Sequence, residues 1–339
     1  MRSPFRVVRN SDAGRMFDTF LISAIVTVLV TRLYLHLAGY PQIGGDSGLH
    51  VAHMLPGGVL MLTAILILIG SINRSSRQFS AFIGGIGFGL FWDELGKFIT
   101  KDNDYFFQPT IGLIYLTFIG LYLLTRYIMR RTYHPHDYLA NAMDLAIEGV
   151  IGELDPREYH HAKELLSRAD KNHPMYTAAA KLLESTKPTK AYHPFFVERI
   201  MDAIHRPFRA FVQKPWFAKV LLRTFYIYGL GLVVTMLVSL FGTRWNTLAD
   251  LFTGLVADTN VVAALAAGVS AVFVVWGAWC VQTGSTHAAL RKFETAILIN
   301  IFVTQAFLFF SYQLSAIAGL LLALVLLVSV RILLTETKQ

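Results

Sequence analysis

Cysteine is almost absent from this chain, Cys280 being the single one in 339 residues. No internal disulfide can form, and cysteine usage carries no message about redox compartment. Charge is scarce as well. Asp, Glu, Lys and Arg fill 15% of positions, where soluble domains use about a quarter. Missing too is the period-two alternation of a barrel strand, which leaves helices as the way to satisfy backbone groups in lipid.

What the chain has in abundance is apolar length. Hydrophobic residues make up 54% and the mean hydropathy is +0.50. Apolar windows able to cross roughly 30 Å of hydrocarbon recur near residues 17–37, 50–70, 79–100, 110–130, 218–240, 260–281, 290–310 and 315–334. The pattern predicts an all-α polytopic membrane protein with about eight transmembrane helices. Its expected parts are a four-helix membrane half over 1–130, a helical cytoplasmic insertion over 131–217 and a second four-helix half over 218–339. Arg2, Arg6, Arg9 and Arg15 precede the first window without a small-residue cleavage site, so that segment is expected to stay as an anchor.

The cations are unevenly placed. Arg74 and Arg77, then Arg126, Arg130 and Arg131, then Arg291 and Lys292 all fall on the side of the basic N-terminus. The opposite loops, 38–49, 101–109 and 241–259, hold only Lys101 and Arg244. The positive-inside rule then predicts a multi-pass protein of the plasma (inner) membrane with both termini cytoplasmic. Topology accounts for the net charge of +8, so no nucleic-acid partner is expected and the bilayer is the partner in view.

Within the insertion, Asp155, Pro156 and Glu158 form a helix start, followed by Ala162, Leu165, Leu166 and Ala169 at helical spacing. A second start at His173-Pro174 leads into Ala178, Leu182 and Leu183. Phe196, Ile200, Ile204, Phe208 and Phe211 make a stripe flanked by Arg199, Arg206, Arg209 and Lys214, a basic amphipathic helix suited to an anionic leaflet. The insertion also offers a surface to a cytoplasmic protein partner. Seven of the 11 histidines lie here, including His134, His136, His160 and His161, without zinc spacing, and read as solvated surface.

FWDELGK, residues 91–97, closes the glycine-rich third window with Asp93, Glu94 and Lys97. His50 and His53 open the second window at the same depth, Arg32 and His36 stand near the end of the first, and Asp46, Asp102 and Asp104 lie in the adjoining loops. Histidines three apart share a helix face. Two imidazoles and two carboxylates complete a tetrahedron for zinc or another divalent metal, with Asp93 or Glu94 available as catalytic base. Gly85, Gly89 and Asp93 share a face where another helix can approach closely. Pro56 frees the carbonyl of Ala52 beside His53. The competing expectation is an ion-pair lock built from Arg32, Asp93, Glu94 and Lys97.

The pairing of HVAH at residues 50–53 with GIGFGLFWDELGKF and the following DNDYFF resembles uncharacterised bacterial multi-pass membrane proteins, in which a histidine cluster opens one helix and a G-x-G-x-G-L-x-x-D-E string closes the next. The resemblance implies no reaction, and Lys97 departs from what a simple metal site expects. The site is expected on the outer side, and the leading reading is a metal-dependent hydrolase of a lipid or lipid-linked substrate; the alternatives are an ion- or proton-coupled transporter or channel and a non-catalytic scaffold acting through the insertion. In the second half, Gln282, Glu294, Asn300 and Gln305 read as helix-packing contacts, and TRWNTLADLFTGLV as a short helix on the outer leaflet.

Overall fold

A computed structural model of the chain describes residues 8–38, 52–101, 107, 109–130, 133–152, 154–186, 188, 195–242 and 259–336. Among the described residues every regular element is a helix. In chain order they are α1 (Ala13–Leu37), α2 (Met54–Gly70), α3 (Arg74–Asp93), α4 (Leu95–Ile99), α5 (Pro109–Met129), α6 (Pro135–Val150), α7 (Pro156–Arg168), α8 (Tyr176–Ser185), α9 (Phe196–Val212), α10 (Pro215–Gly242), α11 (Thr259–Gln282), α12 (Thr286–Ile299), α13 (Gln305–Tyr312) and α14 (Ile317–Glu336). The expected helix over 243–256 lies outside the described residues.

Among the described residues, four stretches are long and apolar enough to cross a membrane: Ala13–Leu37, Pro109–Met129, Leu265–Gln282 and Thr286–Thr335. That is fewer than the eight windows, for local reasons. α2 is apolar but has 17 residues, about 25 Å of rise, and α3 spends its first turn on Arg74 and Arg77. Thr286–Thr335 contains two legs. The chain reverses at Gln313, whose φ of 48° lies outside the helical range, and Arg331 Nε meets Glu294 Oε1 at 2.8 Å on the returning leg.

The chain divides into two compact units, one of Met1–Leu95 with Gly120–Arg199, the other of Gly96–Ile119 with Ile200–Gln339. In the first, α3 packs against both α1 and α2. Small residues permit it, since without a Cβ two helix backbones can approach closely. A Cβ on Gly57 would stand 2.7 Å from the carbonyl oxygen of Gly87, and one on Gly87 2.6 Å from that of Gly57. On the other side, Gly85 meets Phe20 and Ser23, and a Cβ on Gly89 would reach 2.5 Å from the Ala24 carbonyl.

The insertion in the same unit is a three-helix cluster of α6, α7 and α8. Asp155 accepts the amides of Arg157 and Glu158 at 2.7 and 2.8 Å, and Glu158 returns a bond to the Asp155 amide at 3.1 Å, the reciprocal cap that the sequence announces. Ala162, Leu165, Leu166 and Ala169 pack with Leu139, Ala142, Leu145 and Ala146 of α6. In α8 the buried residues are Ala179 and Leu183, whereas Leu182 is exposed. The helix begins at Tyr176, beyond His173-Pro174, and its phase shifts accordingly.

In the second unit, α11 packs against α10 and α12. Phe225 stacks on Phe293 with centroids 4.2 Å apart, and Gly277 leaves room for the Phe293 ring, which a Cβ would meet at 2.5 Å. Residues Asn300–Thr304 form a π turn, in which the Gln305 amide reaches back to the Asn300 carbonyl. This wider step leaves a carbonyl over where the α register resumes, and Ile301 O accepts the Tyr115 hydroxyl at 2.6 Å. The same turn brings Gln305 Nε2 to 3.5 Å from Asn300 Oδ1, so those two expected packing residues contact each other.

Candidate functional site

Three helix ends meet at one end of the first unit. α1 arrives with Arg32, α2 departs after His53, and α3 arrives with Asp93 and Glu94. Arg32 Nε donates to Asp93 Oδ1 at 2.6 Å, and its Nη2 to the Asp93 carbonyl at 3.2 Å. Gly85, Gly89 and Asp93 do share the face that touches α1, where Ser23, Ala24 and Arg32 oppose them in turn. Glu94, leaving the helix as its C-terminal cap residue, turns to α2 instead. Its Oε1 accepts the backbone amide of His53 at 2.9 Å, a negative charge on the positive end of α2.

The imidazole closes the arrangement. His53 Nε2 stands 3.2 Å from Glu94 Oε1 and 3.7 Å from Asp93 Oδ2. Both carboxyl groups are 0% exposed and Arg32 is 8% exposed. A charged pair removed from water holds together only when each partner stays, and deleting one costs about 3–5 kcal/mol.

Other expected members fall elsewhere. His36 is exposed near the end of α1, and Lys97 is half-buried in α4. His50, Asp46, Asp102 and Asp104 lie outside the described residues. Among the described residues, no group of three or more His, Cys, Asp or Glu is arranged to hold a metal ion. The Ala52 carbonyl accepts the Leu55 amide at 3.1 Å. Gly57 serves contact with α3.

A second charged network, at the opposite ends of α1 and α3, has no counterpart in the sequence reading. Arg74 is 5% exposed. Its Nη2 and Nε reach the Asp12 carboxylate at 2.9 and 2.8 Å, and its Nη1 pairs with Glu158 of α7. The Arg74 amide donates to Glu148 Oε1 of α6 at 2.7 Å, and Arg77 Nη2 to Asp144 Oδ2 at 2.7 Å. Asn141 of α6 donates to the Arg9 carbonyl at 2.7 Å and accepts the Ser11 amide at 2.7 Å. The insertion is thus tied to the start of α3 and to the segment before α1. A usable signal existed in the spacing: Asp144 and Glu148 are four apart on α6, complementary to Arg74 and Arg77 three apart on α3. Burial pushes the Glu158 carboxyl above its ordinary value, and the Asp155 amide and Arg74 draw it back only part of the way.

Comparison with protein-family models, with characterised proteins and with solved structures finds no match to this chain. Fold and site together define an all-helical protein with several apolar helices compatible with a membrane.

Proposed function

We propose that the protein is a multi-pass membrane transporter or channel whose cation site is the cluster of Arg32, His53, Asp93 and Glu94. The observation that carries this reading is one imidazole nitrogen facing an oxygen of each of two carboxyl groups, at 3.2 and 3.7 Å, with both carboxyls at 0% exposure. Ionisable groups inside a membrane are costly and mark ion or proton pathways. Carboxylate oxygens and an imidazole nitrogen brought together away from water are donors that suit a small cation or a proton. In this reading Arg32 orients Asp93, Glu94 anchors the start of α2, and His53 is the group that ligand entry rearranges. The eight-helix count, the plasma-membrane location and the cytoplasmic termini belong to the same proposal, and rest on apolar length and on the one-sided Arg and Lys.

Proteoliposome flux tests it. Wild type is expected to dissipate an imposed gradient of protons or of an alkali cation, and Asp93→Asn and Glu94→Gln to lower the rate at least tenfold while remaining folded. Unchanged flux in both variants contradicts the reading.

A specific observation also favours a zinc-dependent hydrolase of a lipid or lipid-linked substrate. Separations of 3.2 and 3.7 Å between His53 Nε2 and the two carboxylates are close to the edge of a tetrahedron of about 3.4 Å set by ordinary zinc bonds. His53, Asp93 and Glu94, which as placed do not form a ligand group, would have to close around the metal with a further donor such as His50, and the metal would activate water. Carboxyls without exposure fit a small cation better than a lipid ester, which ranks this reading second. Elemental analysis of protein purified without chelator decides it: near-stoichiometric zinc, lost in His53→Ala, supports the hydrolase, and its absence in wild type removes it.

A further inference from the structure

The last turn of α6 is apolar and open. Ile147, Val150 and Ile151 are 39%, 73% and 52% exposed, and their spacing puts them on one face. The residues between and before them point elsewhere. Leu145 and Ala146 are buried in the core of the insertion, and Glu148 is buried against the amide of Arg74 at 2.7 Å. That bond fixes the turn beside the first residue of α3. Immediately before α3, Ile69 and Ile72 are 78% and 77% exposed, the end of the apolar surface that α2 presents.

The tip is held in shape. Gly152 turns the chain at a φ of 72°, Leu154 is buried behind it, and Thr186 at the end of α8 closes on Gly149, where a Cβ would stand 2.6 Å from its Cγ2. Arg74 also holds the first turn of α7 through Glu158. An aliphatic tip held by the Glu148–Arg74 bond beside the exposed apolar end of α2 is the composition of a segment seated at the boundary of headgroups and acyl chains. A soluble lobe rarely leaves such a patch to water.

We infer that Ile147, Val150 and Ile151 insert into the leaflet that borders the insertion, so that α6–α8 form a membrane-seated lobe. The occupant of the apolar face is lipid. This inference rests on reading α2 as part of the membrane bundle.

The test uses the scarcity of cysteine. In a Cys280→Ala background, Val150→Cys, Ile69→Cys and Lys171→Cys each receive a nitroxide label in the full chain, in vesicles of phosphatidylcholine and phosphatidylglycerol. Collision with oxygen reports lipid, and collision with a water-soluble nickel chelate reports water. The ratio of oxygen to nickel collision at Val150 is expected to exceed that at exposed Lys171 several-fold and to approach that at Ile69. A Val150 label that behaves like Lys171, with Ile69 in lipid, overturns the inference alone. Nickel access at Ile69 as well overturns the membrane reading on which it stands.

Discussion

Asp93 concentrates the energetic risk of the molecule, because its 0%-exposed carboxyl is matched to the buried guanidinium of Arg32 at 2.6 Å. Asp93→Asn removes the charge that faces a buried guanidinium, and thermal unfolding in detergent should show a loss of up to about 3–5 kcal/mol. Replacing both partners, Arg32→Leu with Asp93→Leu, should restore most of that loss, since an apolar pair removes the desolvation penalty along with the attraction. A double variant that recovers stability without recovering flux would separate the pair's structural role from its proposed role in transport. By contrast, Arg126 and Asp18 form a pair with half-exposed side chains at 3.0 Å, and removing either should change stability by less than about 1 kcal/mol.

Glu158 gives the fold one source of pH dependence. Its carboxyl is raised in the folded state by burial, so its contribution to stability is full below the unfolded value and declines as pH rises through the folded one. Unfolding followed between about pH 4 and about pH 7 should show a downward slope in wild type that is weaker in Glu158→Gln. An equal slope in both would remove this assignment.

At the scale of elements, the fold turns on how near α3 lies to its neighbours. Gly57 and Gly58 are adjacent in sequence and opposite in consequence. A Cβ on Gly57 meets the backbone of α3 at 2.7 and 2.8 Å, while one on Gly58 meets nothing within 4 Å. Gly57→Ala should therefore part α2 from α3 and lower stability by several kcal/mol, whereas Gly58→Ala should be neutral or stabilise by up to about 1 kcal/mol through better helix propensity. Equal effects of the two substitutions on unfolding temperature would contradict the close-contact account.

The same elements explain what the sequence reveals and what it hides. The meeting of Arg32, His53, Asp93 and Glu94 is legible because alternating helix directions force the end of α1, the start of α2 and the end of α3 to one level. The glycine face is legible because its period of four matches the helix. Which carboxylate takes which partner is not, since it depends on Glu94 leaving the helix while Asp93 stays in it. The Arg74 network escapes because arginines beside apolar windows read first as topological signals, and its acids come from helices distant in sequence. The π turn at Asn300–Thr304 leaves no mark in an apolar run, because its compensation, the Tyr115 hydroxyl, belongs to another helix.

At the scale of the whole molecule, α3 joins two charged assemblies: Asp93 and Glu94 at one end, Arg74 and Arg77 at the other. Arg74→Met should release the insertion from the start of α3. Hydrogen exchange should then rise several-fold in α6 and α7, with little change at the contacts between α2 and α3. Exchange that rises equally throughout the first unit would mean that Arg74 supports the whole bundle and not the attachment of the insertion alone.

The central claim is that the buried cluster handles a cation, and the most direct measurement is flux in proteoliposomes under an imposed gradient of protons, sodium or potassium, comparing wild type with Glu94→Gln. Glu94 is the more telling position, because the Arg32–Asp93 pair stays intact in that variant and folding can be verified by its unfolding temperature. The account predicts gradient-driven flux of one of these cations in wild type and at least a tenfold loss in the folded variant. Wild-type protein that moves none of them, or a Glu94→Gln variant that moves the cation at the wild-type rate, would contradict it.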